Sequence, residues 1–183
     1  QDGHKLHSDG YGVTFANGSH SVLITQRSSM QHPATTTVGK GDDLWVIDSL
    51  AAAPLVEPDV RFHQTGHLQS HTAVVLPTDD FEHPLPILLD PYGGPHAQRV
   101  MKSRNSYLLS QWFANQGFCV VITDGPGTPG RGNGWERMIR GDLATHILQA
   151  QIEALQAVGE LYSDQVDPSR VGIRGWSFGG YLA

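Results

Sequence analysis

The chain has 183 residues, 39% hydrophobic and 16% charged, with a formal net charge of −6. A chain of that length buries roughly 70% of its unfolded surface, and the composition is too apolar for a disordered chain. The excess of acidic over basic residues, with no basic cluster, argues against nucleic acid as a partner. The single cysteine excludes an internal disulfide framework and leans towards a reducing, cytoplasmic compartment. No apolar stretch nears the roughly 20 residues of a membrane span, so no membrane partner is expected. Gln1, not Met, opens the chain and Ala183 closes it just past a Gly-Gly pair, so it reads as a piece of a longer protein whose lack of a leader says nothing about export.

From Tyr11 to Ile47 short β-type segments alternate with turns. Tyr11, Val13 and Phe15 alternate with smaller residues, Asn17-Gly18 supplies a hairpin turn, and Val22-Leu23-Ile24 returns. Thr35-Thr36-Thr37 leads through Gly39-Lys40-Gly41-Asp42 into Leu44-Trp45-Val46-Ile47, a second hairpin. One such meander leaves a sheet face uncovered when alone. Ala51 to Pro58 reads as a connector.

Beyond it strands alternate with helices. Thr72–Leu76 and Pro86–Asp90 are β-like runs, and the second leads into the loop Pro91-Tyr92-Gly93-Gly94-Pro95. Ser106–Gln116, with Leu108, Leu109, Trp112 and Phe113 on one stripe and Gly117 as terminator, predicts a helix. Phe118–Thr123 predicts a strand buried on both faces, with Cys119 as a buried thiol. After a Gly/Pro loop from Asp124 to Gly132, a longer helix starts near Asp142, with Leu148, Ile152, Leu155 and Val158 as its core stripe. Asp167-Pro168-Ser169 predicts a turn, followed by a short strand, Val171–Arg174. This alternation predicts an α/β fold with a parallel sheet.

Gly175-Trp176-Ser177-Phe178-Gly179 is a G-x-S-x-G sequence between a strand and a helix-compatible segment. A serine at such an elbow adopts a strained turn that pushes its hydroxyl out of the sheet edge, and flanking glycines remove the Cβ atoms that would clash. The helix N-terminus behind it aims backbone N–H groups at a developing oxyanion. Serine needs a base, which in this topology arrives later in the chain, in the order Ser, acid, His. All ten histidines precede Ser177 and no acid follows it. His96 or His146 with Asp124 or Asp142 would be the substitutes, but the expected chain order favours a chain that stops before its triad is complete. Tyr92, at a strand end before Gly93-Gly94-Pro95, suits a side-chain oxyanion donor.

Three segments together resemble the prolyl oligopeptidase family of serine peptidases, and its dipeptidyl peptidase IV branch above all: Leu89 to Pro95, Asp124-Gly125-Pro126-Gly127 with Gly130-Arg131-Gly132, and Asp167-Pro168-Ser169-Arg170 leading into Gly175 to Tyr181. Trp176 is the branch-specific element. The resemblance implies residues 1–57 as the end of a β-propeller, its last blade and connector. Residues 58–183 would be the N-terminal half of an α/β-hydrolase catalytic domain up to the nucleophile elbow. It implies Ser177 as nucleophile, Tyr92 and the Phe178 backbone N–H as oxyanion donors, and the Phe178 ring as lining the substrate pocket. Phe178 replaces the family's common tyrosine, which keeps the ring, and Pro126 replaces a common arginine, which leaves that loop without an assigned role. The implied reaction is release of N-terminal dipeptides from peptides with a free N-terminus, preferring proline or alanine at the penultimate position, with no cofactor. The fragment alone is expected to be inactive.

Other features are weighed beside this reading. His63, His67 and His71 share one face of a helix or a strand at their spacing, but lack the Glu of a zinc-peptidase helix, so no metal site is expected. The glycines from Gly127 to Gly132 lack the Gly-Lys-Ser/Thr of a phosphate loop. Two other functions stay open: a non-catalytic binding or assembly module, and an esterase on the same fold. An unpaired sheet edge and an uncovered apolar face in the half-domain lead to an expected homo-oligomer, by dimerisation or strand exchange, or else to cover by the rest of a longer parent.

Overall fold

The computed structural model describes residues 10–82 and 84–183. The chain divides into two compact units, one comprising the chain up to Glu57 with Met101–Leu108, the other Pro58–Val100 with Leu109–Ala183.

The first unit is an antiparallel meander in the order β1 (Tyr11–Ala16), β2 (Val22–Ser28), β3 (Thr35–Lys40), β4 (Asp43–Ile47). Lys40 pairs with Asp43, so Gly41-Asp42 forms a two-residue turn in which Gly41 supplies the required positive φ of 59°. The β1–β2 connection differs from the expected Asn17-Gly18 turn. It is a longer loop, in which Asn17 Oδ1 accepts from Val22 N–H, Asn17 Nδ2 donates to Ser19 and Ser21, and His20 takes the positive φ. Phe15, Trp45 and Val46 are exposed, as befits a sheet with no second layer among the described residues of its unit.

The second unit is built on a five-stranded sheet in the order β5-β6-β8-β7-β9, from β5 (Asp59–Thr65), β6 (Ser70–Leu76), β7 (Leu85–Leu89), β8 (Cys119–Asp124) and β9 (Val166–Ile173). β5, β6 and β8 are antiparallel neighbours, whereas β7 is parallel to both β8 and β9. All six residues of the central strand β8 are buried, as its unbroken apolar run predicts. Burial pushes the Cys119 thiol up to about 12. The core joins Val74, Ile87, Leu89 and Val121 of the sheet to Val158 and Tyr162. Asp167–Ser169, expected as a turn, lie inside β9 at a register irregularity, where Asp167 accepts from Ser169 and Arg170.

Both predicted helices form, with different buried faces. After a 3-10 turn (Arg104–Tyr107), α1 (Leu108–Ala114) buries Ser110, Gln111 and Ala114, while Leu109 and Trp112 of the expected stripe are exposed. Gln111 explains this rotation. Its side chain accepts from Asp59 N–H at 2.8 Å and donates to Leu76 O at 2.8 Å and Asn115 Oδ1 at 2.7 Å, so a polar residue ties α1 to two strands. A short helix not foreseen in the sequence, α2 (Asn133–Arg137), precedes α3 (Thr145–Leu161). α3 buries Ile147, Ala150, Gln151, Ala154 and Val158, whereas Leu148 and Ile152 are exposed. The small residues Ala150 and Ala154 let the helix approach the sheet, and Gln151 Nε2 donates to Thr123 O on β8. Asp142 precedes the helix, and hydrogen bonds from the Thr145 side chain and then from the Thr145 and Ala144 N–H groups hold its carboxyl down at about 2.

The three histidines do not share a face. In the β5–β6 register His63 opposes Thr72 and Gln64 opposes His71, so His63 and His71 point to opposite sides, and His67 lies in the turn. His63 meets the Tyr162 hydroxyl and His67 meets Glu153.

Replacing Gln111 by Leu strands the buried Leu76 carbonyl and the Asp59 N–H. The expected loss is about 2–4 kcal/mol of unfolding free energy, read as a lower urea midpoint at constant slope. An unchanged midpoint would remove Gln111 as the tie.

Candidate active site

β9 ends at Ile173, and α4 (Phe178–Leu182) begins after a four-residue connection ending in Ser177. Ser177 has φ 55° and ψ −119°, a region that residues with a Cβ rarely occupy. Its backbone carbonyl accepts from Gly180 and Tyr181 N–H, and the Trp176 carbonyl accepts from Gly179 N–H. The turn is thus closed by its own backbone, with the Ser177 residue exposed. A Cβ at Gly175 would collide with the Gly179 backbone, and one at Gly179 with the Pro91 carbonyl. Close backbone approach, rather than unusual φ, is therefore what demands both glycines.

The collision at Gly179 also identifies what faces the elbow, the loop that follows β7. Tyr92 lies in it, half-buried, its ring centroid 6.2 Å from that of Phe178. Gly94 lies directly against the Phe178 ring, where any Cβ would overlap it. Phe178 is the first residue of α4, so its N–H has no acceptor within the helix. The structure therefore brings Ser177, Phe178 and Tyr92 to one edge of the sheet. Asp124 accepts from backbone N–H groups of Arg99 and Val100, and Asp142 caps α3, so among the described residues neither carboxylate orients a histidine by a hydrogen bond.

Beneath these loops lies a charged group that sequence reasoning missed. Asp90 is 1% exposed, and its Oδ2 receives Arg99 Nη2 at 3.0 Å and Arg174 Nη1 at 3.1 Å. Arg99 Nη1 also donates to the Asp90 carbonyl, and the Arg174 guanidinium stacks 4.5 Å from the Phe113 ring centroid. The available signal was an aspartate ending an apolar strand, since a buried carboxylate must find cations.

Asp124, at the end of β8, is 2% exposed. Burial pushes its carboxyl up to about 6 against the opposing pull of the Val100 and Arg99 N–H groups and the Arg99 charge. Pro126 follows in a buried stretch, and Gly127, at φ 93°, packs on Ile139. The Gly/Pro loop is thus fixed by its own packing, with Thr128 donating to Gly125 O.

Because the folded value of Asp124 lies above its ordinary 3.8, folding takes up a proton there between about pH 4 and pH 6. The stability this group contributes is full below pH 4 and is lost as pH rises through 6, by about 3 kcal/mol. Asp124→Asn should flatten that part of the pH–stability curve measured by urea unfolding. A variant curve parallel to the parent's would contradict the assignment.

Comparison with known proteins follows the same lines. The prolyl oligopeptidase family model matches residues 105–183. Dipeptidyl peptidase 8 of Mus musculus is 30% identical over 186 aligned positions, covering 97% of this chain and 20% of that protein. Dipeptidyl aminopeptidase B of Saccharomyces cerevisiae is 35% identical over 116 positions, 59% of this chain and 13% of that protein. Among solved structures, dipeptidyl peptidase 4 of Porphyromonas gingivalis superposes with a TM-score of 0.79 at 26% identity, over 94% of this chain and 26% of that one. The chain thus spans about a fifth of the length of the mouse relative.

Proposed function

The chain belongs to the prolyl oligopeptidase family, on its dipeptidyl peptidase branch, with propeller strands followed by part of an α/β-hydrolase fold, and from that premise we propose that it carries the nucleophile and oxyanion donors of a serine exopeptidase releasing N-terminal dipeptides. The observation that carries the reading is the strained Ser177 turn, with Tyr92 and the first N–H of α4 beside it. Ser177 Oγ attacks the scissile carbonyl, forming an acyl-enzyme that water resolves. The Tyr92 hydroxyl and Phe178 N–H take the charge that develops on the carbonyl oxygen. The Phe178 ring, between Tyr92 and Tyr181, lines the pocket for the residue before the cut, a flat apolar wall suited to proline or alanine. In this reading a histidine and an acid complete the triad from outside these residues, for which the chain's share of about a fifth of the mouse relative's length leaves room. The domain division proposed is residues 1–57 as the last propeller blade with its connector and 58–183 as the front of the catalytic domain.

In the full-length protein carrying this chain, Gly-Pro and Ala-Pro chromogenic anilides should be cleaved and short-acyl esters much less so. Ser177→Ala should abolish turnover, and Tyr92→Phe should lower kcat by about 10²–10³-fold. Turnover that survives Ser177→Ala would overturn the proposal, and preference for the ester would transfer it to an esterase.

Residues 1–183 by themselves should label poorly with a fluorophosphonate, for want of a base. Rapid labelling at Ser177, read by peptide mass, would place the base upstream instead.

A further inference from the structure

The two loops that carry Ser177 and Tyr92 leave the sheet together, and backbone pairing stops where they begin. Its last link is the hydrogen bond from Arg174 N–H to Leu89 O, at 2.9 Å. Beyond it, the loops touch through Gly179 on Pro91 and Gly94 on Phe178, both packing contacts without direction. Among the described residues, the directional link at that level is between side chains, Arg174 Nη1 to Asp90 Oδ2. Asp90 stands two residues before Tyr92, and Arg174 three before Ser177. Each partner is fixed from a second side: Asp90 by Arg99 through its side chain and carbonyl, Arg174 by the Phe113 ring.

We propose that Arg174 and Asp90 are positioning residues that set the separation between the Tyr92 hydroxyl and the Ser177 elbow. This rests on the reading of Ser177 and Tyr92 given above. Oxyanion donors act only when they lie about 2.7–3.1 Å from the position the charged oxygen will occupy, and a misplacement of about 1 Å can remove about 10²-fold in rate. Neither residue touches the reacting atoms; the pair acts through Tyr92. Loss of the pair therefore shows in kcat while KM stays close to that of the parent, because the ground-state carbonyl asks less of the donor than the oxyanion does.

The test is a double-mutant cycle in the full-length protein with a Gly-Pro anilide. Arg174→Met should lower kcat by about 10–100-fold, and Arg174→Lys, whose ammonium can still meet Asp90 but lacks the planar group that stacks on Phe113, should recover part of it. In a Tyr92→Phe background the same Arg174→Met change should cost about twofold or less, since there is no hydroxyl left to misplace. A penalty undiminished in that background, or one confined to KM, overturns the proposal. Hydrogen exchange supplies a readout independent of turnover. Arg174→Met should speed exchange in residues 91–95 and 175–180 and leave β5, β6 and β8 at parent rates. Should Arg174→Met fail to fold, Arg174→Gln takes its place in both measurements. Unchanged exchange in both loops overturns the clamp even if the protein cleaves nothing, whereas a parent that fails to cleave, with the exchange pattern as expected, overturns only the peptidase reading.

Discussion

A carboxylate with almost no contact with water must be compensated where it stands, because removing one partner of a buried ion pair costs about 3–5 kcal/mol. Asp90 imposes that condition at the point where β7 gives way to the loop bearing Tyr92. Its two guanidinium partners come from different places: Arg99 from later in the same connection, Arg174 from the end of β9. One buried charge therefore fixes both segments at the edge of the parallel half of the sheet. Arg99 extends the constraint, since its N–H donates to Asp124 at the end of β8, so the C-terminal ends of three adjacent strands are joined by polar contacts.

Strain at Ser177 fits the same pattern. A residue with a Cβ in that backbone region costs on the order of 1–3 kcal/mol and persists only where its surroundings over-determine it. Here those surroundings are Gly175 packed against the Gly179 backbone, Gly179 against Pro91, and the Ser177 carbonyl engaged by two N–H groups. Each contact is backbone to backbone, so no change of side-chain rotamer can relieve the turn.

Legibility in the sequence followed the type of force involved. The strand β8, the Gly41-Asp42 hairpin and the elbow were readable because unbroken apolar runs and glycine spacing act locally. The buried face of α1 was not, and that of α3 only in its second half, where Leu155 and Val158 of the expected stripe reach the core. Leu109, Trp112, Leu148 and Ile152 belong to the apolar stripes that periodicity selects, yet they are exposed, and beside Ile147 and Val158 the buried faces hold Gln111, Gln151 and alanines, placed by hydrogen bonds to strands distant in sequence and by close approach. Likewise, i, i+4 spacing placed three histidines on one face, and a hairpin reversal between them placed two on opposite faces. Ser177, Phe178 and Tyr92 stand in motifs that glycine spacing marks, while Asp90, Arg99 and Arg174 lay unrecognised inside or beside those motifs because ion pairs leave no periodic trace.

The one thiol of the chain lies at the start of β8, fully enclosed, with its ionisation pushed up to about 12. At neutral pH it therefore stays a thiol and not the reactive thiolate. Folding thereby turns an ordinary cysteine into a silent one. A maleimide or disulfide reagent added to the native protein finds no partner at this position, so each adduct it does form counts a molecule in which the central strand has come out of the sheet. The chain carries its own chemical register of opening events, placed where the core is deepest.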